Sequence, residues 1–219
     1  MNVLVVGATG GTGRATVDEL LRRGHDVSAL ARRPEAIERS STRLRVVQGD
    51  ATRLADLERA IAGHDAVIVT LGIRENPLGV RIRGSKTTPL DVRSRGTANV
   101  VAAMRSRGVR RLVVLSSYGV GETRGRLPLG WKLIFATLLK PQIADTEVQE
   151  RVVRSSELDW VLAQPVGLAD GEDERPTFVS TQGEAKRMTI ARRSVAAFLV
   201  EAAEGDAYLG RSVALSTEG

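Results

Sequence analysis

The sequence contains no cysteine and only two histidines among its 219 residues. Without cysteine the chain can form no disulfide, no thiolate nucleophile and no cysteine-based metal site. Two histidines are too few for a histidine-rich metal centre, so we predict no bound metal.

Long apolar runs are also lacking. No uncharged apolar stretch approaches the length of about 18 residues that a membrane helix needs. The chain opens with a strand-like apolar run, without a basic segment followed by a cleavage site, so we see no signal peptide. We therefore expect a cytoplasmic protein that is not inserted in a membrane.

Basic residues outnumber acidic ones, and the net charge is +6, but the excess is not concentrated in one place. The 28 arginines and 4 lysines are scattered along the chain and interleaved with acidic residues. Aromatic residues, at 3% of the sequence, are too few for a base-stacking platform. We predict a small-molecule substrate and no nucleic-acid partner. Nothing in the sequence specifies the oligomeric state.

Apolar strand-like runs alternate with helical periodicity along the whole sequence. Strands are predicted at 2–6, 27–31, 44–47, 66–69, 112–115, 160–163 and 212–215. Helices are predicted at 15–23, 54–61, 92–104, 143–154 and 195–203. This alternation is typical of βαβ units, so we predict one α/β domain over residues 1–219. Its expected architecture is a Rossmann fold, a doubly wound and mostly parallel sheet with helices on both faces.

Three segments, 72–89, 118–130 and 165–187, have no clear period and are interpreted as substrate loops. Trp131 and Phe178, with Phe135, lie in or beside these loops. They could form a wall for a planar substrate, or they could pack in the core.

The strongest chemical signal is a glycine-rich turn between the first strand and the first helix. Its residues are Gly7, Ala8, Thr9, Gly10, Gly11, Thr12 and Gly13. Glycines at this spacing permit a tight turn, a close approach of a pyrophosphate to the backbone, and close packing of helix on strand. The amides of the helix amino terminus then bind phosphate oxygens. A glycine-rich turn without a ligand is the alternative.

The residues after the second strand indicate which dinucleotide binds. NAD-selective sites place a carboxylate there, but this chain has Arg32 and Arg33 and no acid before Glu35. Arg14, directly after the last glycine of the turn, can reach the same region. Because a guanidinium binds a 2′-phosphate through two hydrogen bonds, we predict NADP as the cofactor. Alternatively, these arginines are solvated side chains in an arginine-rich chain.

Several motifs together resemble a known family. They are residues 7–14, Gly49-Asp50, Thr70-Leu71-Gly72, Leu115-Ser116-Ser117, residues 145–150, Gln164-Pro165 and the tail from Ile190 to Phe198. The sequence resembles the atypical short-chain dehydrogenase/reductases, in particular the NAD(P)H-binding, NmrA-like branch that includes biliverdin reductase B, a flavin reductase. The resemblance covers essentially the whole chain.

The resemblance implies further cofactor contacts. Asp50 and Ala51 would border the adenine, and Thr70, Leu71 and Gly72 would pass the ribose and pyrophosphate. Ser116, Ser117, Pro165 and Val166 would flank the nicotinamide. Each of these residues also follows a predicted strand, where ligands bind in open α/β sheets. For Asp50 a turn or a helix cap is the alternative role.

The departures from the family concern the proton donor. The wider superfamily uses a Tyr-x-x-x-Lys pair, whereas the residues four places after Tyr118 and Tyr208 are Glu122 and Ser212. Thr146 and Gln164 stand where related sequences often carry a lysine and an arginine. We therefore expect hydride transfer that needs little proton assistance.

Ser117 and Tyr118 are the candidate catalytic residues. Ser117 could donate a hydrogen bond to the nicotinamide amide or to a substrate carbonyl, and Tyr118 could donate a proton. Each could instead satisfy local backbone or line the loop. The sequence thus predicts an NADPH-dependent oxidoreductase acting on a small planar acceptor, of flavin, quinone or tetrapyrrole type. Two alternatives remain: a non-catalytic NADP sensor, and a biosynthetic isomerase or dehydratase that uses bound NADP.

Overall fold

A computed structural model describes residues 1–73, 88–128, 130–131, 134, 137, 139–171 and 175–219. Its centre is an eight-stranded sheet. The strands in chain order are β1 (Asn2–Val6), β2 (Asp26–Ala31), β3 (Leu44–Gln48), β4 (Ala66–Val69), β5 (Arg111–Leu115), β6 (Asp159–Pro165), β7 (Gly167–Ala169), β8 (Thr177–Ser180), β9 (Thr189–Ala191) and β10 (Arg211–Thr217). The short strands β7 and β9 form a separate parallel pair, and the others form the main sheet.

Helices connect most of these strands. They are α1 (Gly11–Arg22), α2 (Leu54–Ile61), α3 (Val92–Arg107), α4 (Lys140–Arg154) and α5 (Arg192–Glu204), with 3-10 turns at Pro34–Ala36 and Gly121–Arg126. Each α-helix begins and ends within four residues of its predicted bounds. The bounds of α2 match the prediction, and each of the other four helices begins three or four residues earlier or ends three residues later than the apolar spacing alone indicates. The reason is that the first and last turns are polar and carry no periodic signal.

The strand order in the main sheet is β3-β2-β1-β4-β5-β6-β10-β8. All neighbours are parallel except β8, which pairs antiparallel with β10. The chain moves outward in one direction from β1 through β3 and then in the other direction from β4, so the order reverses between β1 and β4. In open α/β sheets such a switch point is where ligands bind, beyond the carboxyl ends of the strands. The predicted doubly wound architecture is confirmed.

Alternate residues of each central strand enter two separate apolar cores. In β1, Val3 and Val5 belong to the core under α1 and α5, while Leu4 and Val6 belong to the core under α2, α3 and α4. All four side chains are almost completely buried. Such near-continuous burial explains why the strands read as unbroken apolar runs in the sequence.

The loop predictions need correction. Segment 165–187 is not one continuous loop, because it contains β7 and β8, and Pro165 is still paired with Leu215 as the last residue of β6. Both strands are too short and too polar to show alternation. Segment 118–130 contains a 3-10 turn at Gly121–Arg126. Of segment 72–89, residues 74–87 lie outside the described part of the chain.

Within the described ranges, none of the helices is both long enough and apolar enough to cross a membrane.

Candidate functional site

The glycine-rich turn between β1 and α1 is closed by two backbone contacts. The amide of Gly10 donates to the carbonyl of Gly7 at 3.0 Å, and the amide of Arg14 donates to Gly10 at 2.8 Å. Gly7 has φ +96°, a conformation that favours glycine. A Cβ on Gly13 would lie 2.3 Å from the Gly7 carbonyl oxygen, which is closer than any side chain can pack. The turn therefore requires glycine at both ends.

Beside this turn lies a cavity, open to solvent, at the carboxyl ends of β1 to β4. Nine of the predicted cofactor-binding residues line it: Gly7, Thr9, Gly10, Arg32, Asp50, Ala51, Thr70, Leu71 and Gly72. Segments from four separate strand ends therefore meet at the switch point, as the motif positions predict.

The remaining predicted cofactor residues do not line this cavity. Gly11, Thr12 and Gly13 form the first turn of α1, and Thr12 and Gly13 are buried. Pro165 is the last residue of β6, and the amide of Val166, which follows it, donates to the Leu215 carbonyl at 3.0 Å. Of the two, Val166 belongs to the core under α1 and α5.

The three arginines predicted to bind a 2′-phosphate are not gathered in one cavity. Arg32 lines the main cavity, where its Nη2 donates to the hydroxyl of Thr88 at 3.2 Å. Arg14 lines a separate depression with Val17 and Ile37, and its Nη2 donates to the Ala36 carbonyl at 3.0 Å. Arg33 precedes the 3-10 turn at Pro34–Ala36 and is exposed. Arg32 is thus the arginine positioned at the dinucleotide cavity itself.

Asp50 lines the cavity and also organises a turn. Its Oδ1 accepts hydrogen bonds from the Thr52 amide at 2.9 Å and the Thr52 hydroxyl at 2.8 Å. Burial acts to raise the pKa of the Asp50 carboxyl, but the hydrogen bonds from Thr52 and the nearby positive charges of Arg32 and Arg53 hold it below its ordinary value. The carboxylate is therefore preformed at this edge.

Ser116 is held by a buried polar network that sequence reasoning did not foresee. Its hydroxyl donates to Oε1 of Glu150 at 2.5 Å, and the Gln164 amide donates to the same oxygen at 2.7 Å. Arg154 approaches the other oxygen at 3.3 Å, and the Glu150 side chain is only 3% exposed. The three partners of Glu150 come from β5, β6 and α4. No local pattern in the sequence links positions so far apart.

The two candidate catalytic residues follow Ser116 directly. The Ser117 hydroxyl donates to the carbonyl of Tyr118 at 3.2 Å. The Tyr118 ring is buried, and its hydroxyl donates to the Gly183 carbonyl at 3.1 Å. Burial raises the pKa of the Tyr118 phenol, while the positive charge of Arg126 acts in the opposite direction. Tyr118 therefore stays protonated at neutral pH.

Arg192, the first residue of α5, is a second residue that the sequence did not reveal. A Cβ on Gly11 would lie 2.8 Å from its Nε, so the guanidinium lies against the start of α1. Its Nη1 donates to Asp170 at 2.6 Å. Gly11 and Arg192 are 181 positions apart, and only the folded sheet brings them together.

The aromatic residues in or beside the loops do not form one group among the described residues. Trp131 packs at the edge of the core under α1 and α5, and a Cβ on Gly167 would lie 3.7 Å from its ring. The Phe178 ring on β8 instead faces the ammonium group of Lys186 at 4.9 Å. Phe135 lies outside the described part of the chain.

This geometry fits a dinucleotide. The turn offers backbone amides at a helix amino terminus, Gly7 and Gly13 leave room where any side chain would collide, and the cavity extends along four strand ends. No group of three or more acidic or histidine side chains that could hold a metal ion occurs within the described ranges.

Comparison with known proteins shows the family of this chain and includes a curated reductase among its relatives. A family model described as NAD(P)H-binding matches residues 7–206. A (4-alkanoyl-5-oxo-2,5-dihydrofuran-3-yl)methyl phosphate reductase from Streptomyces griseus is 31% identical over 221 residues, which cover 98% of this chain and 67% of the relative.

Solved structures share the fold at low sequence identity. ChuY, an anaerobillin reductase from Escherichia coli O157:H7, has a TM-score of 0.80 at 22% identity, covering 99% of this chain and 97% of that chain. A short-chain dehydrogenase/reductase from Veillonella parvula in complex with NADP has a TM-score of 0.78 at 18% identity, covering 100% and 95%.

Proposed function

The chain belongs to the NAD(P)H-binding family and is an NAD(P)H-dependent oxidoreductase, and from this premise we propose that it uses NADPH to reduce a small planar acceptor. The observation that carries the proposal is the cavity at the β1/β4 switch point, with the glycine turn at one side and Arg32 in its wall. We expect the reaction to take place in the cytoplasm.

The preference for NADP rests on the charge at the end of β2. Arg32 stands in the cavity wall where an NAD-selective site would place a carboxylate. Its guanidinium is positively charged at every physiological pH and has several donors for phosphate oxygens. Arg14 and Arg33 lie near the 3-10 turn at Pro34–Ala36, so they add positive charge beside the end of β2. This arrangement supports binding of the 2′-phosphate that distinguishes NADP from NAD.

NADPH, when bound, supplies the hydride, and the protein's own residues then have to orient the reactants and exclude water. We propose that Ser116, Ser117, Pro165 and Val166 border the nicotinamide. The hydrogen bond to Glu150 holds Ser116 in place, and the hydrogen bond from the Tyr118 hydroxyl to the Gly183 carbonyl holds the loop that follows. The segments 72–89, 118–130 and 165–187 would surround the acceptor.

Ser117 and Tyr118 are the proposed catalytic residues. Because the Tyr118 phenol stays protonated, it cannot act as a tyrosinate base. The Tyr118 hydroxyl donates its hydrogen bond to the Gly183 carbonyl, so an oxygen of the acceptor would have to replace that carbonyl before Tyr118 could donate to it. The hydroxyl of Ser117 donates at 3.2 Å to the carbonyl of Tyr118. This environment favours acceptors such as flavins, quinones and tetrapyrroles, whose reduction needs little proton assistance.

The curated relative supports a planar acceptor. The substrate in its name is an unsaturated oxo-dihydrofuran ring that bears an alkanoyl group and a methyl phosphate. Such a ring is flat and conjugated, as the proposed acceptors are. The likeness to the relative therefore extends the proposal to conjugated cyclic carbonyl compounds.

The test is steady-state consumption of NADPH, followed at 340 nm, with a flavin, a quinone, a linear tetrapyrrole and an unsaturated lactone as acceptors. We expect turnover above the rate without protein for at least one class, and a lower KM for NADPH than for NADH. Background rates with every acceptor, combined with tight NADPH binding, would contradict the reductase proposal and support a cofactor sensor.

A further inference from the structure

Arg93, in the first turn of α3, is a positively charged residue that the proposed cofactor site does not use. Its Nη1 atom is buried and has no hydrogen-bond partner within the described part of the chain. Its guanidinium lies beside Gly72, because a Cβ on Gly72 would be 3.1 Å from Nη2. A side chain at position 72 would narrow the space in front of the guanidinium.

Among the described contacts, the carboxylate of Asp145 acts on this guanidinium by its charge and forms no hydrogen bond with it. Asp145 on α4 accepts hydrogen bonds from the backbone amides of Arg93 at 3.0 Å and Ser94 at 3.1 Å, and also from the Ser94 hydroxyl. Both oxygens of Asp145 are therefore used at the amino terminus of α3. The acid compensates the charge of Arg93 only through space.

The electrostatic environment of Arg93 favours an anionic binding partner. Burial lowers the pKa of the Arg93 guanidinium, and the negative charge of Asp145 acts in the opposite direction. An arginine nevertheless keeps its proton in proteins. A buried charge with an unused donor costs free energy unless a partner supplies the hydrogen bonds. A bound anionic group would do so.

The position of Arg93 indicates which molecule would carry that anion. Gly72 and Val92, its neighbours, line the dinucleotide cavity at the end of β4. The helix that carries Arg93 covers the face of the sheet on which Leu112 and Val114 of β5 are buried. Arg93 thus lies beyond the phosphate-binding turn, on the side of β5. The proposed function assigns the cofactor's pyrophosphate to the amides of the glycine turn between β1 and α1.

We propose that Arg93 binds an anionic group of the acceptor, a phosphate or a carboxylate, at the nicotinamide end of the cleft. The inference rests on the proposed function, because it assumes that an acceptor binds beside the dinucleotide. Arginine suits this role since its planar guanidinium forms two parallel hydrogen bonds with either group. The protein should therefore prefer acceptors that carry a negative charge outside the reducible ring.

The test uses FMN and riboflavin, which share the same reducible ring and differ in one phosphate. Equilibrium binding of each flavin to the protein saturated with NADP is measured by fluorescence quenching, so no turnover is needed. We expect wild-type protein to bind FMN about tenfold more tightly than riboflavin, as one charge-assisted contact would provide. A second pair, a linear tetrapyrrole with free propionates and its dimethyl ester, tests the carboxylate form.

The variants are Arg93→Met and, as the matched control on the same helix, the exposed Arg95→Met. The first should abolish the preference for the charged member of each pair, and the second should retain it. Arg93→Lys, which keeps the charge, should retain part of it. Because Arg93→Met could impair folding, its thermal unfolding and its Kd for NADPH are measured in parallel, and the lysine variant provides the comparison in a folded protein.

Three results would overturn the inference. One is a wild-type protein that does not discriminate within either pair. Another is a folded Arg93→Met variant with unchanged discrimination. The third is a loss of NADPH affinity with discrimination intact, which would assign the anion to the cofactor's pyrophosphate. Preferential binding of FMN without any NADPH oxidation would contradict the proposed function alone.

Discussion

The two halves of the carboxyl edge of the sheet are built in different ways. Around β1 to β4 the cavity is formed by backbone and small residues, with glycines at positions where a Cβ would collide with neighbouring backbone. Around β5 and β6 the geometry depends on long polar side chains, since Glu150 joins Ser116, Gln164 and Arg154 in a buried network. A site made of backbone tolerates few substitutions locally, whereas a site made of side chains depends on residues far apart in the sequence.

The largest effect is expected from adding one methyl group to the glycine turn. In Gly13→Ala the new Cβ would lie 2.3 Å from the Gly7 carbonyl oxygen, so the turn has to shift away from its phosphate-binding shape. We expect the Kd for NADPH, measured by calorimetry, to rise by about 100-fold or more. Gly125→Ala, where no atom lies within 4 Å, should leave it unchanged. Equal affinities for the two variants would show that the turn does not bind the dinucleotide.

The second prediction concerns Arg32, the arginine that lines the cavity. Arg32→Ala should weaken NADPH binding by about 1–3 kcal/mol and leave NADH binding nearly unchanged, because it removes one charge-assisted contact with the 2′-phosphate. The exposed Arg45 on β3 provides the control substitution to alanine. A similar loss for both coenzymes would contradict the proposed NADP preference.

The third prediction addresses the other half of the edge. Glu150→Gln removes the charge shared by Ser116, Gln164 and Arg154, and we expect it to lower the free energy of unfolding by about 1–3 kcal/mol. Glu122→Gln is a well-matched control, since Glu122 also pairs with Arg154 but is 61% exposed. Urea unfolding of both variants measures the difference. If the two variants lost equal stability, the network would have no special role.

The smallest effect is expected for Glu19 on α1, away from the carboxyl edge of the sheet. Hydrogen bonds from Arg22, opposed by burial and helped by Arg23, lower the pKa of Glu19 to about 2. The ionised form therefore stabilises the fold fully above the ordinary value of 4.5, and this contribution is lost as the pH falls through about 2. Glu19→Gln should cost about 0.5–1 kcal/mol at pH 7, the range for a partly exposed ion pair.

The pH dependence distinguishes this ion pair from a packing effect. The stability difference between wild type and Glu19→Gln should shrink between pH 4.5 and pH 2, and NADPH affinity should not change. Glu201→Gln, at an exposed position on α5, is the control. A difference that stays constant with pH would show that the charge of Glu19 is not responsible.

The contrast between the halves explains how much could be predicted from sequence. The sheet, the glycine turn and the strand ends at Asp50 and Thr70 were predictable, because each depends on a local pattern of apolar runs and glycines. β7, β8 and β9 were missed since each is too short to show a period. The roles of Glu150, Arg93 and Arg192 were missed because each contacts residues on other elements of the fold, and their residue types are ordinary on a helix surface.

The contact between Arg192 and Gly11 has a thermodynamic consequence. These residues begin α5 and α1, so the positive ends of two helix dipoles meet beside a guanidinium that Asp170, itself 90% exposed, only partly neutralises. The positive charge concentrated there raises the free energy of the folded state until an anion binds. If the proposed site holds the dianionic diphosphate of the cofactor, binding would offset this repulsion, and we expect the melting temperature to rise with cofactor concentration.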